Sequence, residues 1–560
     1  MYSSVSDWDP GRGSYGALVF LYGTAVTSLL AMMAAMPLGV GAAAYLAELA
    51  PPRIRSAGSL LLELLATIPS VIYGFWGREF LARLGLAPVF DWMGQPNVAS
   101  GQGILAAGLV LSVMILPYIT AVSFDVCRST PRSLREGALA MGATRWQVIA
   151  WIILPFARPG IITAGFLALG RAIGETMAVT MVIGNSPYFD FRINGTGDTI
   201  PSVIAKELFE ADGAKRAALV ALGLLLLLMT LAMNVGGRAI IRWTASPRRR
   251  RGSPMRIKAD SASPPRQPAL ELATRRSSAR FLDRIMRWVL TLCFALTVVH
   301  LFLILGTIVV RGAPEVDWAF FTKLPNDADG RGLAHALVGS VILVGLATAF
   351  AVPIGVAAAI ALAEFRNGRL TRAIRFVAEL LGGVPSIVIG IFGYALLVNP
   401  FWLNERWGFS AWAGGFALGV IMLPVVIRAT EEALRLVPNA LREASYALGA
   451  THWRTVLQVV LPAAWPMVVT SILLALGRVA GETAPLVLTA RGSQFMPRSL
   501  ADPTPSVPFY IYEFSKYAPG SDELRLAWAA AFVLVAVVMT LNVAVRLVSG
   551  PRGSIASRTD

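Results

Sequence analysis

Two segments of the chain place an arginine and a glutamate four residues apart within apolar sequence. They read Gly170-Arg-Ala-Ile-Gly-Glu-Thr and Gly477-Arg-Val-Ala-Gly-Glu-Thr, and we call them the central motifs. A guanidinium offers planar donors that suit an oxyanion, and a neighbouring carboxylate limits how tightly the anion is held. The motifs predict an anion pathway or, alternatively, a salt bridge that only holds helices together. The candidate pathway residues are Arg171, Glu175, Arg478 and Glu482.

The elements that carry these motifs are predicted to be membrane-spanning helices. Of the 560 residues, 56% are hydrophobic and 15% are charged, whereas soluble chains carry roughly 25% charged residues. Spanning a bilayer takes about 20 apolar residues. Two predicted spans contain a few charges, Ser56–Gly77 and Pro159–Pro187, and nine runs contain none. The sequence therefore predicts an all-α polytopic membrane protein with about 11 transmembrane helices. Ionisable residues inside a membrane are costly, and their default interpretation is a functional one. The charge-free runs lie between Arg12 and Glu48, Asp91 and Asp125, Arg216 and Arg238, Arg287 and Arg311, Arg331 and Glu364, Glu379 and Glu405, Arg406 and Arg428, Arg454 and Arg478, and Arg525 and Arg546.

The chain is a tandem repeat. At an offset of 316 residues the segment 23–77 matches 339–393, and at an offset of 307 the segment 116–176 matches 423–483. The change of offset falls in a predicted outside loop, where changes of length are tolerated. Matched segments have the same predicted topology, so the repeat is parallel, about an axis along the membrane normal. Matched pairs include Gly23 and Gly339, Glu48 and Glu364, Pro69 and Pro385, Gly142 and Gly449, and Pro155 and Pro462.

Much of the net charge of +16 lies between the two repeats. Residues 242–287 contain 13 basic and three acidic side chains, a net charge of +10. Cytoplasmic loops collect Lys and Arg, so the segment 242–284 is predicted to be a disordered cytoplasmic linker rather than a surface for nucleic acid. The predicted halves are 1–241, with five helices, and 285–560, with six. The N-terminus is then outside and the C-terminus is cytoplasmic.

A second repeated motif lies in a long loop of each half, on the predicted cytoplasmic side. It reads Glu136-Gly-Ala-Leu-Ala-Met-Gly-Ala-Thr-Arg-Trp in the first half and Glu443-Ala-Ser-Tyr-Ala-Leu-Gly-Ala-Thr-His-Trp in the second. Its glycine predicts the end of a helix, its threonine can cap a new short helix, and the following Leu-Pro is predicted to end that helix. Such a helix either lies on lipid or docks a partner, and two copies favour a two-fold partner. The residues concerned are Glu136, Gly142, Ala143, Thr144, Trp146, Glu443, Gly449, Ala450, Thr451 and Trp453.

This loop motif resembles the coupling loop of ABC importer permeases, which in that family docks into a groove on an ATPase subunit. The resemblance implies two tandem parallel copies of the ABC importer permease fold. The central motifs, with Tyr15-Gly-Ala-Leu before Gly23-Thr24 and Met177-Ala-Val-Thr after Glu175, resemble the phosphate-specific ABC importer. Each half resembles one of its two permease subunits, so the chain resembles a fused permease of that importer.

The resemblance implies a set of partners. In the bacterial inner membrane, an extracytoplasmic binding protein would deliver phosphate and two copies of an ABC ATPase would bind ATP. Closure of the ATPases would move the coupling loops and alternate the access of the cavity. Family residues implicated in transport carry over to the four residues of the central motifs. Each half in the family usually has six helices, so five in the first half means either a start further upstream or a helix that is dispensed with.

Residue counts argue against other chemistries. With two cysteines and three scattered histidines, neither a disulfide framework, a metal site nor a Cys–His nucleophile is expected. None of the five lysines stands in the Gly-Lys-Ser/Thr of a P-loop, so no cofactor and no catalytic residue are expected in this chain. The open alternatives are an ABC permease for another oxyanion or a phosphonate, a secondary anion transporter, and a membrane scaffold or phosphate sensor.

Overall fold

The computed structural model describes residues 8–83, 102–188, 195–245, 269–327, 332–365, 368–400 and 407–549. These residues are mostly helical, with one short antiparallel hairpin, β1–β2, near the N-terminus. Helices suit a membrane because each backbone N–H is satisfied within its own helix. The elements are β1 (Trp8–Asp9), β2 (Ser14–Tyr15), α1 (Leu18–Leu49), α2 (Pro52–Thr67), α3 (Ser70–Arg83), α4 (Ile104–Arg128), α5 (Arg132–Ala140), α6 (Arg145–Ile173), α7 (Met177–Val182), α8 (Ile200–Glu207), α9 (Gly213–Ala245), α10 (Ala269–Gly312), α11 (Trp318–Thr322), α12 (Ala334–Glu364), α13 (Arg369–Leu381), α14 (Ser386–Val398), α15 (Ala411–Arg435), α16 (Asn439–Ala447), α17 (His452–Val479), α18 (Ala484–Thr489), α19 (Val507–Phe514) and α20 (Asp522–Ser549).

The predicted number of spans agrees with the helices. Within the described residues, nine helices are long and apolar enough to cross a membrane, and two bent pairs, α2–α3 and α13–α14, bring the number to 11. Counting each pair as one span puts five in the first half and six in the second. The all-α polytopic class with two repeats is confirmed.

The two bent pairs lie in the predicted spans Ser56–Gly77 and between Glu379 and Glu405. The bends are 95° and 108°, and they fall at the repeated prolines Pro69 and Pro385. Proline lacks an N–H and pushes the preceding residue out of the helical region. Ile68 accordingly has φ −62° and ψ 128°. Charge-free length could not reveal this bend.

The ends of the predicted linker are helical rather than disordered. Helix α9 extends to Ala245 and α10 begins at Ala269, because residues 269–284 are rich in the helix formers Ala, Leu and Arg. The centre of the linker, 246–268, lies outside the described residues.

The two halves repeat the same close contacts. Gly23 of α1 lies against the carbonyl oxygen of Asp198, and Gly339 of α12 lies against that of Pro505. The next residue of each helix then accepts a hydrogen bond from the start of a short helix: Thr24 Oγ1 from the Ile200 N–H at 3.1 Å, and the Ser340 hydroxyl from Val507 at 2.9 Å. Glycine is required because a Cβ at either position would overlap backbone.

Helix α10 ties the halves together. Although it opens the second half, it packs on the first: Phe294 stacks on Tyr45 with ring centroids 5.1 Å apart, and Cys293 fills the space beside Gly41. At its other end, Arg311 forms an ion pair of 3.0 Å with Glu79. The chain connection between the halves is thus also a packing connection.

We predict that Gly339→Ala destabilises the protein while Gly345→Ala, on the same helix, does not. The first methyl group meets the Pro505 carbonyl, whereas the second has no atom within 4 Å. Overpacking should lower the free energy of unfolding by about 1–3 kcal/mol, and the control should gain up to about 1 kcal/mol of helix propensity. Thermal unfolding in detergent measures both, and equal midpoints would contradict the contact.

Candidate functional site

The central motifs lie at helix ends rather than within helices. Arg171 is in the last turn of α6 and Arg478 in the last turn of α17, and both helices stop just before the motif glutamate. The predicted span Pro159–Pro187 is therefore broken at Gly174. As a result, Glu175 and Glu482 do not continue the helical face of the arginines, and the i,i+4 geometry expected from the spacing is lost.

Each motif packs against the bend of the opposite half. A Cβ on Gly174 would lie 3.1 Å from the Pro385 side chain, and one on Gly481 would lie 2.6 Å from that of Pro69. The matched glycines and prolines of the two repeats therefore meet reciprocally across the interface. This places both arginines next to the pseudo-two-fold axis between the halves.

The four candidate residues form one electrostatic cluster. Glu175 interacts with Arg171 of its own half and with Glu482 of the other, and Arg478 interacts with Glu482 and with Arg171. Within the part of the chain described, no ion pair of 4.0 Å or less joins these arginines to these glutamates. Both arginines are exposed. A locked salt bridge does not describe this site.

Tyr118 is a member of this cluster that sequence reasoning missed. It lies in the middle of α4 and interacts electrostatically with both Arg171 and Arg478. Its depth in α4 indicates that the arginines lie near the middle of the membrane. The signal in the sequence was its position directly after the repeated Leu116-Pro117, but the matching residue of the second half is Val425, so the repeat comparison did not reveal it.

The loop motifs form the predicted helix stop in both halves. Helix α5 ends at Ala140 and α16 at Ala447, and the following glycines have φ 86° at Gly142 and φ 81° at Gly449. Each glycine N–H donates to a carbonyl of the preceding turn, as in a left-handed helix cap. Left-handed backbone is the reason that glycine stands here.

The threonines differ between the halves. Thr144 caps α6 as predicted, accepting from the Gln147 N–H at 3.3 Å while the Gln147 side chain accepts from the Thr144 N–H at 2.8 Å. Thr451 occupies the same position before α17, but its side chain makes no capping bond.

The repeated Leu-Pro does not end the short helix, which corrects the prediction. A π-helical turn precedes Pro155 and another precedes Pro462, and the helix runs on without a break. The hydrogen-bonding pattern changes from π-helical to α-helical just before each proline. Proline is tolerated at that position because no backbone hydrogen bond of the helix requires its missing N–H. Each loop motif is therefore joined to a central arginine by one helix.

Two half-buried ion pairs, one in each half, anchor the loops, and sequence reasoning missed their arginines. Arg135 of α5 binds Glu48 at 2.9 Å, and Arg442 of α16 binds Glu364 at 3.0 Å. Both arginines are at matched repeat positions, which was the available signal. The repeated glutamates at the ends of α1 and α12 therefore hold the loop helices in place.

The anchored loops present apolar side chains outward. Met141 is 86% exposed and Leu448 is 89% exposed, and they occupy matched positions just before the glycines. Glu136 and Glu443 are also exposed. None of the remaining motif residues is buried. The half-buried ones are Ala143, Thr144, Trp146 and Ala450, and the exposed ones are Gly142, Gly449, Thr451 and Trp453. This exposure is what both predicted roles of the loop require, since a helix that lies on lipid and a helix that docks a partner each present apolar side chains outward.

We predict that Gly142→Ala loosens the first loop motif and that Gly137→Ala does not. Both positions are open, but only Gly142 has a left-handed backbone, which costs an alanine about 1–2 kcal/mol. Amide hydrogen exchange over residues 138–148 should become faster in the first variant alone. Equal exchange in the two variants would contradict the role of the left-handed turn.

Comparisons with known proteins identify the family of this chain. The chain matches the family described as binding-protein-dependent transport system inner membrane component over residues 35–246 and 351–550. It is 40% identical to the phosphate transport system permease protein PstC of Pasteurella multocida over 248 residues, which is 42% of this chain and 78% of the relative. It is 40% identical to the permease protein PstA of Haemophilus influenzae over 246 residues, 44% of this chain and 85% of the relative.

A solved structure of the MetNI methionine ABC transporter is also similar, with 20% identity and a TM-score of 0.32, covering 39% of this chain and 95% of that one. The PstC and PstA matches cover one half each, as expected for two permease subunits fused into one chain. The chain belongs to the family of binding-protein-dependent transport system inner membrane components and carries its domain twice.

Proposed function

We propose that the chain is the membrane permease of an ATP-driven phosphate importer, with the anion pathway between its two halves. The observation that carries this proposal is the pair of exposed arginines at the axis, one from each half, which interact electrostatically with each other, while Arg171 also interacts with Glu482 of the other half. The phosphate transport permeases to which each half is similar support phosphate as the substrate.

The cluster suits an anion that must bind and leave. Two guanidiniums can donate planar, charge-assisted hydrogen bonds to phosphate oxygens. The carboxylates of Glu175 and Glu482 stand close enough to reduce the net positive potential, which keeps the site weak enough for conduction. Because the pathway lies between the halves, a relative movement of the halves would open it to one side or the other.

The loops give this movement a mechanical link. Helix α6 runs from the first loop motif to Arg171, and α17 runs from the second to Arg478, each over roughly 40 Å at 1.5 Å per residue. We infer that two copies of a separate ABC ATPase dock on these loops, in the bacterial cytoplasm. ATP then binds to the partner and not to this chain. An extracytoplasmic binding protein delivers phosphate to the opposite side, and the C-terminus is cytoplasmic.

The first test replaces the central arginines. In vesicles containing the chain with its ATPase and binding protein, Arg171→Gln and Arg478→Gln should each lower phosphate uptake roughly tenfold or more, since each removes charge-assisted hydrogen bonds. Arg525→Gln, at the exposed start of α20, is the matched control and should leave uptake unchanged. A scaffold or sensor would keep its function in the double variant.

Competition in the same vesicles identifies the substrate. Phosphate should suppress the uptake of radiolabelled phosphate, and sulfate in equal amount should not. Uptake that is insensitive to phosphate would overturn the assignment in favour of another oxyanion or a phosphonate.

The second test removes the apolar contact of the loops. Met141→Asp with Leu448→Asp should abolish co-purification of the ATPase, because a carboxylate cannot enter an apolar groove without a partner. Glu513→Gln, on the opposite side, is the control. Uptake that persists without any ATPase and collapses with an ion gradient would identify a secondary transporter instead.

A further inference from the structure

A cavity lies between the halves, on the side opposite the loop motifs. It has a volume of about 640 Å³ and is lined by both halves. Helices α4 and α9 begin beside it, whereas the first loop motif follows the far end of α4. Its basic residues are Arg78 and Lys206 from the first half, and Arg491 and Lys516 from the second.

Three of these four cationic side chains already bind an oxygen of another residue of this chain. Arg78 donates to the carbonyl of Ser515 at 2.7 Å. Lys206 forms an ion pair of 2.6 Å with the buried Asp198, and burial raises the pKa of this carboxyl although Lys206 opposes the shift. Lys516 binds Glu513 at 2.8 Å.

Arg491 differs from the other three. No carboxylate lies within 4.0 Å of it among the described residues. Its guanidinium lies instead between two phenyl rings, 4.8 Å from the centroid of Phe209 and 5.3 Å from that of Phe409. The rings come from different halves. A guanidinium that stacks on aromatic rings keeps the N–H donors along its edge for a further partner.

The backbone at this position is unfavourable for arginine. Arg491 has φ 50°, in the left-handed region that favours glycine. The matching residue of the first half is Gly184, with φ 90°. The repeat therefore needs a left-handed residue here, and the second half places an arginine where the first has glycine. Such an outlier points to a function for the side chain.

We propose that Arg491 anchors a second anion site. The site lies in the cavity described above, which we call the outer cavity, and it binds a tetrahedral oxyanion through a phosphate group. This proposal rests on the proposed function, in which phosphate would bind at the outer site before it reaches the central arginines. The exposed guanidinium offers two parallel donors to one phosphate group. A cavity lined by four cations and the two carboxylates of Glu210 and Glu513 has a net positive charge that attracts anions.

The test is direct binding to the full chain in nanodiscs of zwitterionic lipid. In the background Arg171→Gln with Arg478→Gln, radiolabelled inorganic phosphate should still bind, as measured by equilibrium dialysis. Adding R491Q should weaken this binding about tenfold to a hundredfold, and adding R525Q should not change it. The proposal is overturned if the background binds no phosphate, or if R491Q binds as tightly as the background.

The variant R491K distinguishes anion binding by Arg491 from a purely structural role, in which the side chain only packs between the two rings. Lysine keeps the charge but lacks the planar fork, so phosphate should bind several-fold more weakly while the midpoint of thermal unfolding stays near that of the parent. If R491Q does not fold, this variant decides: unchanged phosphate binding in R491K overturns the proposal.

The source of the phosphate group is settled by repeating the measurement with anionic phospholipid in the nanodisc. Displacement of inorganic phosphate by the lipid supports an Arg491 site that a headgroup also occupies, and no displacement supports free phosphate. The uptake test of the central arginines is separate. Loss of uptake in those variants with no effect of R491Q on binding would reject the outer site and keep the importer.

Discussion

The structure depends on one reciprocal contact, in which the glycine of each central motif packs on the proline bend of the other half. Gly481 lies against Pro69 and Gly174 against Pro385. The proline bends the helix pair so that its corner reaches the axis, and the absent side chain of the glycine lets that corner approach. Without both features, the helix ends that carry Arg171 and Arg478 could not come together between the halves.

The fused chain has two similar halves that are specialised at a few positions. The framework contacts are kept, because a Cβ at these glycines would crowd a backbone carbonyl, at Gly23 and Gly339, or a proline ring, at Gly174 and Gly481. A few residues near the central motifs and the outer cavity differ: Tyr118 matches Val425, and Arg491 matches Gly184. The two halves therefore share their glycine contacts and the ionisable residues of the central motifs, and they differ at a few neighbouring positions.

Each loop motif and the central arginine of the same half are joined by one continuous helix. Arg135 and Arg442 fix the loop helices to the ends of α1 and α12, and the π-helical turns let α6 and α17 continue past their prolines. A force applied at the exposed loop motifs would therefore reach the anion site through a helix rather than through a flexible joint. In the proposed function, this continuity would couple a partner's ATP cycle to the pathway.

The sequence by itself determined the membrane class, the 11 spans, the tandem repeat and the residues of both motifs, because these follow from local composition and from identities at fixed offsets. The left-handed turns at Gly142 and Gly449 were predictable for the same reason, since a glycine after a helix specifies its own geometry. What the tertiary structure decided was the bend at Pro69 and Pro385, the break before Glu175, the continuation past Pro155, and the meeting of Tyr118 with both arginines. Each depends on what a neighbouring helix supplies or leaves open, and hydrophobic length along one chain has no information about that.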